Sequence, residues 1–207
     1  IFRLKLLNKQ MKEKKFNFNF LKKNLIITYH PVTLDKKQAI NQFKSLLKSL
    51  NNLSDTLLIF TKSNSDPEGN IINNMIDNFV SKNSNKSICF FALGSINYLS
   101  ILNIADGVVG NSSSGIIEAP SLKKGTINLG DRQQGRVFAN NVINCNYKTT
   151  EIDKALAKLY SNKFKNKLKK LTNPYGAGKV SDKICKIILN KDLKKILKKR
   201  FYDIEKT

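Results

Sequence analysis

The sequence predicts an α/β fold, a Rossmann-like doubly wound parallel sheet, on three observations. Short apolar runs of strand length alternate with stretches whose apolar residues recur at spacings of three and four. Six such runs occur, each with room for a crossover helix before the next. The runs also end in polar loops that share one edge of such a sheet. At 207 residues the chain suits one domain with a tail and can bury a sizeable core.

In order, Leu4 to Lys23 is basic and amphipathic without a strand partner, and the chain opens on Ile1 rather than Met. Residues 1–23 are therefore expected to be a connector from something that precedes them. Leu25 to Thr28 is the first strand and ends in Tyr29-His30-Pro31. Ala39, Ile40, Phe43, Leu46, Leu47 and Leu50 form the first amphipathic helix. Leu57 to Phe60 is the second strand, closed by a polar loop, Thr61 to Gly69. Ile71 to Val80 carries the next helical stripe. Ile88 to Phe91 is the third strand, with Tyr98, Leu99, Leu102 and Ile104 on the helix after it.

Gly107 to Val109 is the fourth strand. It leads through Gly110-Asn111-Ser112-Ser113-Ser114-Gly115 into a helix reaching Glu118. Thr126 to Leu129 and Val142 to Cys145 complete the sheet. Helices are then expected over Glu151 to Tyr160, Lys163 to Leu171 and Ser181 to Leu189, with Ser181 as an N-cap. Asn173 to Gly176 reads as a turn, and Leu193 to Phe201 as a basic, partly apolar segment. The domain is thus expected over residues 24–190, with a basic helix or tail over 191–207.

The net charge of +22 raises nucleic acid as a partner, but 33 of the 37 basic residues are Lys. The chain is equally rich in Asn, Ile, Leu and Phe, the joint bias of AT-rich codons. Lys163 to Lys170 and Lys191 to Arg200 show helical spacing and few aromatics, so they read as solvated helix faces. No apolar run approaches a membrane span of about 18 residues, and no secretion signal is visible. Cys89, Cys145 and Cys185 form no CxxC pair and sit in apolar runs, as reduced core cysteines of a cytoplasmic protein do.

In an open parallel sheet ligands bind outside the carboxyl ends of the strands. Four loops there hold unusual polar residues: His30-Pro31, Asn64 to Gly69, Asn111 to Gly115 and Gly130 to Arg136. Small residues in the Asn111 to Gly115 loop would let backbone N–H groups approach an anion, with helix dipole and serine hydroxyls adding to the field. The same pattern also fits plain N-capping by serine with a first-turn Glu118. Arg132 and Arg136 are two of only four arginines, and their planar fork suits phosphate. His30, the only histidine, suits a phosphate donor or a general acid, or else a loop position. Asn64 and Asp66 fit Asx turns, and Tyr98 fits either core packing or base stacking.

Taken together, the segments "ITYHPVT" from Ile27, "SNSDPEGNIINNMI" from Ser63, "LGSINYLSILNIADGVVGNSSSGIIEAPS" from Leu93, "INLGDRQQGR" from Ile127, "NPYGAGKVSDKI" from Asn173 and "KKRFYDI" from Lys198 resemble the hydrolysing UDP-N-acetylglucosamine 2-epimerases of sialic-acid and legionaminic-acid synthesis. The resemblance runs from about Asn24 to Ile204 and implies the C-terminal half of a GT-B architecture, with substrate in the cleft between two Rossmann domains. It implies His30 near the diphosphate and Asn64 near the nucleotide. The Leu93 backbone and Tyr98 would sit near the uracil, and Ser112, Ser113 and Ser114 on the diphosphate. Glu118 would lie on the ribose, with Arg132 or Arg136 by the phosphates.

The implied reaction is elimination of UDP to a 2-acetamidoglycal, then hydration to a free 2-epimeric sugar such as N-acetylmannosamine, without metal or nicotinamide. The family's N-terminal Rossmann domain, which carries its proton-transfer carboxylates, is not among these residues. It is expected as a missing domain or a partner chain, and the 207 residues alone are expected to be inactive. Where the family has Gly-x-Pro before the fifth strand, this chain reads Lys123-Lys124-Gly125, which alters a surface turn. Besides a UDP-sugar, a homo-oligomer is compatible with the sequence. Three other readings remain: a nucleotide-sugar-binding remnant without turnover, the UDP-binding half of a GT-B glycosyltransferase, and, last, polyanion binding by the lysine clusters.

Overall fold

The computed structural model describes residues 1, 4–31, 36–63, 67–176 and 178–192. The chain divides into two compact units, residues 1–175 and 176–207.

The first unit holds one six-stranded sheet: β1 (Lys23–Thr28), β2 (Thr56–Thr61), β3 (Ser87–Phe90), β4 (Gly107–Gly110), β5 (Gly125–Leu129) and β6 (Val142–Cys145). The order is β3-β2-β1-β4-β5-β6 and every pairing is parallel. This is the doubly wound arrangement expected, with the order reversing between β1 and β4. The strands read as continuous apolar runs because helices cover both faces. Leu25, Ile27, Leu58, Phe60, Val109 and Ile127 pack on one face against Phe43, Leu46 and Leu50 of α2 (Lys36–Asn51). Ile72 and Ile76 of α3 (Pro67–Lys82) and Leu156 and Leu159 of α6 (Thr149–Tyr160) join them. Ile26, Ile59 and Val108 point the other way, onto Leu99, Ile101 and Leu102 of α4 (Ser95–Ile104).

The N-terminal segment, expected to have no strand partner, is folded onto that second face. Its helix, α1 (Lys9–Phe16), is capped by Asn8, whose side chain accepts from the Met11 amide at 2.8 Å. Phe16 and Phe18 meet Phe90 edge-on, with ring centroids at 5.2 and 6.3 Å. Lys12 is only 1% exposed, and its ammonium donates to the Ser100 carbonyl of α4. Burial, with the nearby Lys124 charge adding to it, lowers the Lys12 pKa to about 8 from 10.5.

Between those two values the unfolded chain binds a proton that the folded chain does not. Stability is therefore expected to rise with pH from about 8 to 10.5. Lys124, also lowered by burial, adds in the same direction. Denaturant midpoints at about pH 8 and about pH 10 check this, and Lys12→Met should reduce the rise. A slope in Lys12→Met equal to the parent's assigns the rise elsewhere.

After the sheet, Ser161 caps α7 (Asn162–Lys169) by accepting from the Phe164 amide at 3.3 Å. Phe164 and Leu168 are buried while Lys163, Lys165, Lys167, Lys169 and Lys170 are exposed, so this lysine cluster is a solvated face. The second unit contains α8 (Val180–Leu189), none of whose residues is buried. Its N-cap is Lys179, in the left-handed region at φ 60°, rather than Ser181, which lies inside the helix. Cys185 is exposed on it, against the core position expected, whereas Cys89 and Cys145 are half-buried; all three are free. The segment expected over Leu193 to Phe201 lies outside the described residues. No helix of the described residues is long and apolar enough to cross a membrane.

Candidate functional site

The strand order reverses between β1 and β4, and the loops leaving these two strands face each other across that point. β4 ends in Gly110, at φ 137°, and a Cβ there would overlap the Thr28 carbonyl oxygen and stand 2.7 Å from its carbon. Only glycine lets the two backbones approach so closely. Asn111, 0% exposed, follows. Its side-chain oxygen accepts from the His30 amide at 2.8 Å, and its side-chain nitrogen donates to the His30 carbonyl at 2.7 Å. The primary amide thus pairs with both backbone groups of His30, as a neighbouring strand would.

Two further loops attach to this pair. The His30 imidazole Nδ1 lies 3.3 Å from the Ser63 hydroxyl at the end of β2. Ser63 is itself clamped by Asn73 of α3, whose side chain accepts from its amide at 2.8 Å and donates to its carbonyl at 3.3 Å. On the other side, the Asn111 main-chain carbonyl accepts two donors from the loop after β5. Arg132 NH1 donates at 3.0 Å and Gln133 Nε2 at 2.7 Å. That loop is shaped by Gly130 (φ 68°) and Gly135 (φ 81°), with the Gln134 amide donating to Asp131 O at 2.6 Å.

The serine loop is more ordinary than its sequence suggests. α5 (Ser114–Ile117) is a single turn, followed by a 3-10 turn over Ala119–Leu122. Pro120 has no N–H with which to continue the α-ladder, so the helix stops short of the expected Glu118. One turn carries little macrodipole, and the expected dipole contribution is correspondingly small. The Ser112 hydroxyl accepts from the Ser114 amide at 3.3 Å, a capping bond, while Ser113 is the N-cap residue with no side-chain cap bond. The turn is pinned from beneath, because Thr126 and Asn141 both donate to the Gly115 carbonyl, at 2.7 and 3.2 Å.

Tyr98 packs against the second core. It is half-buried on α4, and its hydroxyl bonds to the Ser114 hydroxyl. Burial pushes the phenol up to about 12; the Ser114 bond pulls the other way, and the Glu118 carboxylate adds to the rise. Glu118 is half-buried, and its Oε2 is enclosed without a hydrogen-bond partner among the described residues. Leu93 is buried in the second core, and its carbonyl accepts from Asn97 Nδ2 at 2.7 Å.

The structure therefore gathers His30, Ser112, Ser113, Ser114, Tyr98, Glu118 and Arg132 at the carboxyl edge. Arg136 is exposed, and its backbone amide donates to Gln133 O at 3.3 Å; the bonds that gather the others do not include its guanidinium. Asn64 and Asp66 lie outside the described residues. Gln133, Ser63 and Asn73 enter the site without having been singled out in the sequence. A glutamine in a polar loop and an asparagine on a helix carry no pattern of their own, and Ser63 was only a loop residue.

A profile of the UDP-N-acetylglucosamine 2-epimerase family matches residues 2–189. The GDP/UDP-N,N'-diacetylbacillosamine 2-epimerase (hydrolyzing) of Campylobacter jejuni is 44% identical over 96% of this chain and 51% of its own length. The UDP-N,N'-diacetylbacillosamine 2-epimerase (hydrolyzing) of Legionella pneumophila is 31% identical over 84% of this chain and 44% of its own. Among solved structures, the UDP-GlcNAc 2-epimerase of Neisseria meningitidis bound to UDP-GlcNAc has a TM-score of 0.66 at 20% identity. It covers 88% of this chain and 48% of that one. The chain spans about half the length of the relatives it matches.

Proposed function

Since the chain belongs to the UDP-N-acetylglucosamine 2-epimerase family, we propose that it binds the UDP moiety of a UDP-N-acetylhexosamine and serves the departure of that UDP in a hydrolysing 2-epimerase. One observation carries this reading. At the reversal point of the sheet, Asn111 holds the loop of the only histidine and receives the Arg132 guanidinium, beside three serines. An imidazole, a guanidinium and hydroxyls converging on one edge suit the charge that builds on a leaving diphosphate. The enclosed Glu118 oxygen, lacking a donor, suits a ribose hydroxyl. Both hydrolysing relatives above act on N,N'-diacetylbacillosamine nucleotides, which favours a 2,4-diacetamido sugar as the hexosamine.

Removal of the C2 proton requires a base that we assign to the family's other half. The 207 residues alone are accordingly expected to release no free sugar from a UDP-N-acetylhexosamine, read by chromatography of the products; release of 2-epimeric sugar would remove that assignment.

Binding is tested by calorimetric titration with UDP. One saturable site is expected, with competition by inorganic diphosphate. Ser113→Ala should weaken UDP roughly fifteenfold, about 1.6 kcal/mol, the lower end of the worth of one hydrogen bond to a charged group. Absence of UDP binding, or binding that DNA displaces and diphosphate does not, overturns the reading.

A further inference from the structure

We propose that Asn111 is the positioning residue of this site and couples the Arg132 guanidinium to the His30 imidazole, so that an anion met by one sets the orientation of the other. The proposal deepens the UDP-binding reading and rests on it for the nature of the anion.

Asn111 is not needed merely to hold β1 and β4 together. Their register runs from Leu25 beside Gly107 to Thr28 beside Gly110, and the Asn111 amide extends it by donating to Thr28 O at 3.2 Å. The side chain adds a second connection, directed at the residue that bears the imidazole. Donating to the carbonyl of His30 while accepting from its amide requires a group with both capacities on adjacent atoms, and only a primary amide has them. Aspartate would set an acceptor oxygen against the His30 carbonyl. Leucine, similar in size, would leave the half-buried His30 peptide groups without these partners.

The Asn111 carbonyl completes the connection. It has two lone pairs, and the Arg132 and Gln133 donors occupy both. Gln133 is 2% exposed and cannot swing out. With one lone pair held by that buried amide, the arginine is confined to the other. The guanidinium uses one of its five N–H groups here, and the rest remain in a fixed plane. Movement of the arginine toward an anion pulls on the Asn111 peptide, whose side chain carries the His30 backbone. The clamped Ser63 holds the ring at Nδ1, so a backbone shift at His30 becomes a ring reorientation.

The single histidine makes the coupling directly readable, because imidazole C–H resonances in NMR spectra of the full chain report His30 alone. Arg132→Ala is expected to displace those resonances in the ligand-free protein. Gln133→Met, which keeps the volume and removes the donor, should displace them in the same direction and weaken UDP about tenfold. In an Asn111→Ser background Arg132→Ala should no longer move them, the signature of coupling through Asn111. Unchanged His30 resonances in Arg132→Ala, in protein that melts cooperatively, overturn the proposal. So does an Arg132→Ala effect that persists in Asn111→Ser. Should Asn111→Ser not fold, Arg132→Ala and Gln133→Met decide the matter by themselves. Because the spectra are read without ligand, loss of UDP binding in the parent would sink the functional reading and leave the coupling measurable.

Discussion

Gly110→Ala is expected to cost about 4 kcal/mol or more and to leave much of the protein unfolded at room temperature. The residue sits at φ 137°, a conformation that L side chains rarely adopt. Its added methyl would also overlap the Thr28 carbonyl oxygen and approach the carbonyl carbon to 2.7 Å. Neither atom can move aside, since both belong to the backbone of the central strand β1. Relief would come only by parting β1 from β4, which breaks the ladder from Leu25–Gly107 to Thr28–Gly110. A urea midpoint lowered in proportion, with the m-value unchanged, is the expected record. A loss below about 1 kcal/mol would mean that the two strands separate at that end without consequence.

Arg132→Ala should weaken UDP by roughly thirtyfold, or about 2 kcal/mol, with little change in stability. The residue is exposed, so its removal leaves no buried charge or cavity. On the proposed reading, what is lost is a charge-assisted contact to phosphate. Arg132→Lys separates charge from geometry, because lysine keeps the charge without the planar fork. It should recover only part of the affinity, and the residual binding should fall more steeply with salt. Calorimetry on the two variants at two ionic strengths checks both. Equal affinities in parent, Arg132→Ala and Arg132→Lys would take the guanidinium out of the site.

The sheet was legible because its inner strands are buried on both faces, and such strands carry near-continuous apolar runs rather than a strict alternation. β1, β2 and β5 are of this kind. The helices over Lys36–Asn51 and Pro67–Lys82 were equally plain from their stripes. The loops after β1, β4 and β5 could be nominated as one edge once a parallel sheet was assumed.

What escaped the sequence depends on partners distant along the chain. Lys12 sits in a basic amphipathic stretch with nothing to set it apart; its burial follows from a carbonyl of α4 that no local pattern announces. The phenylalanines at 16 and 18 likewise acquire meaning only beside Phe90. Asn111 was visible as part of a small-residue loop, yet its pairing with His30 joins residues from different crossovers. Gln133 offered no signal, being a glutamine beside an arginine. Ser181 carried a genuine capping signal, but Lys179 in a left-handed turn caps that helix two residues earlier.

The parallel strand order has a kinetic side. No neighbouring strands are joined by a hairpin, so each pairing waits for a crossover to close. The longest wait falls in the middle, where Leu25 meets Gly107 only after two intervening strands and three helices have been wound past it. Closing so distant a loop is entropically unfavourable and slow. Imidazole and guanidinium are thus expected to be brought together late in assembly, and a nascent or half-folded chain would offer diphosphate nowhere to settle.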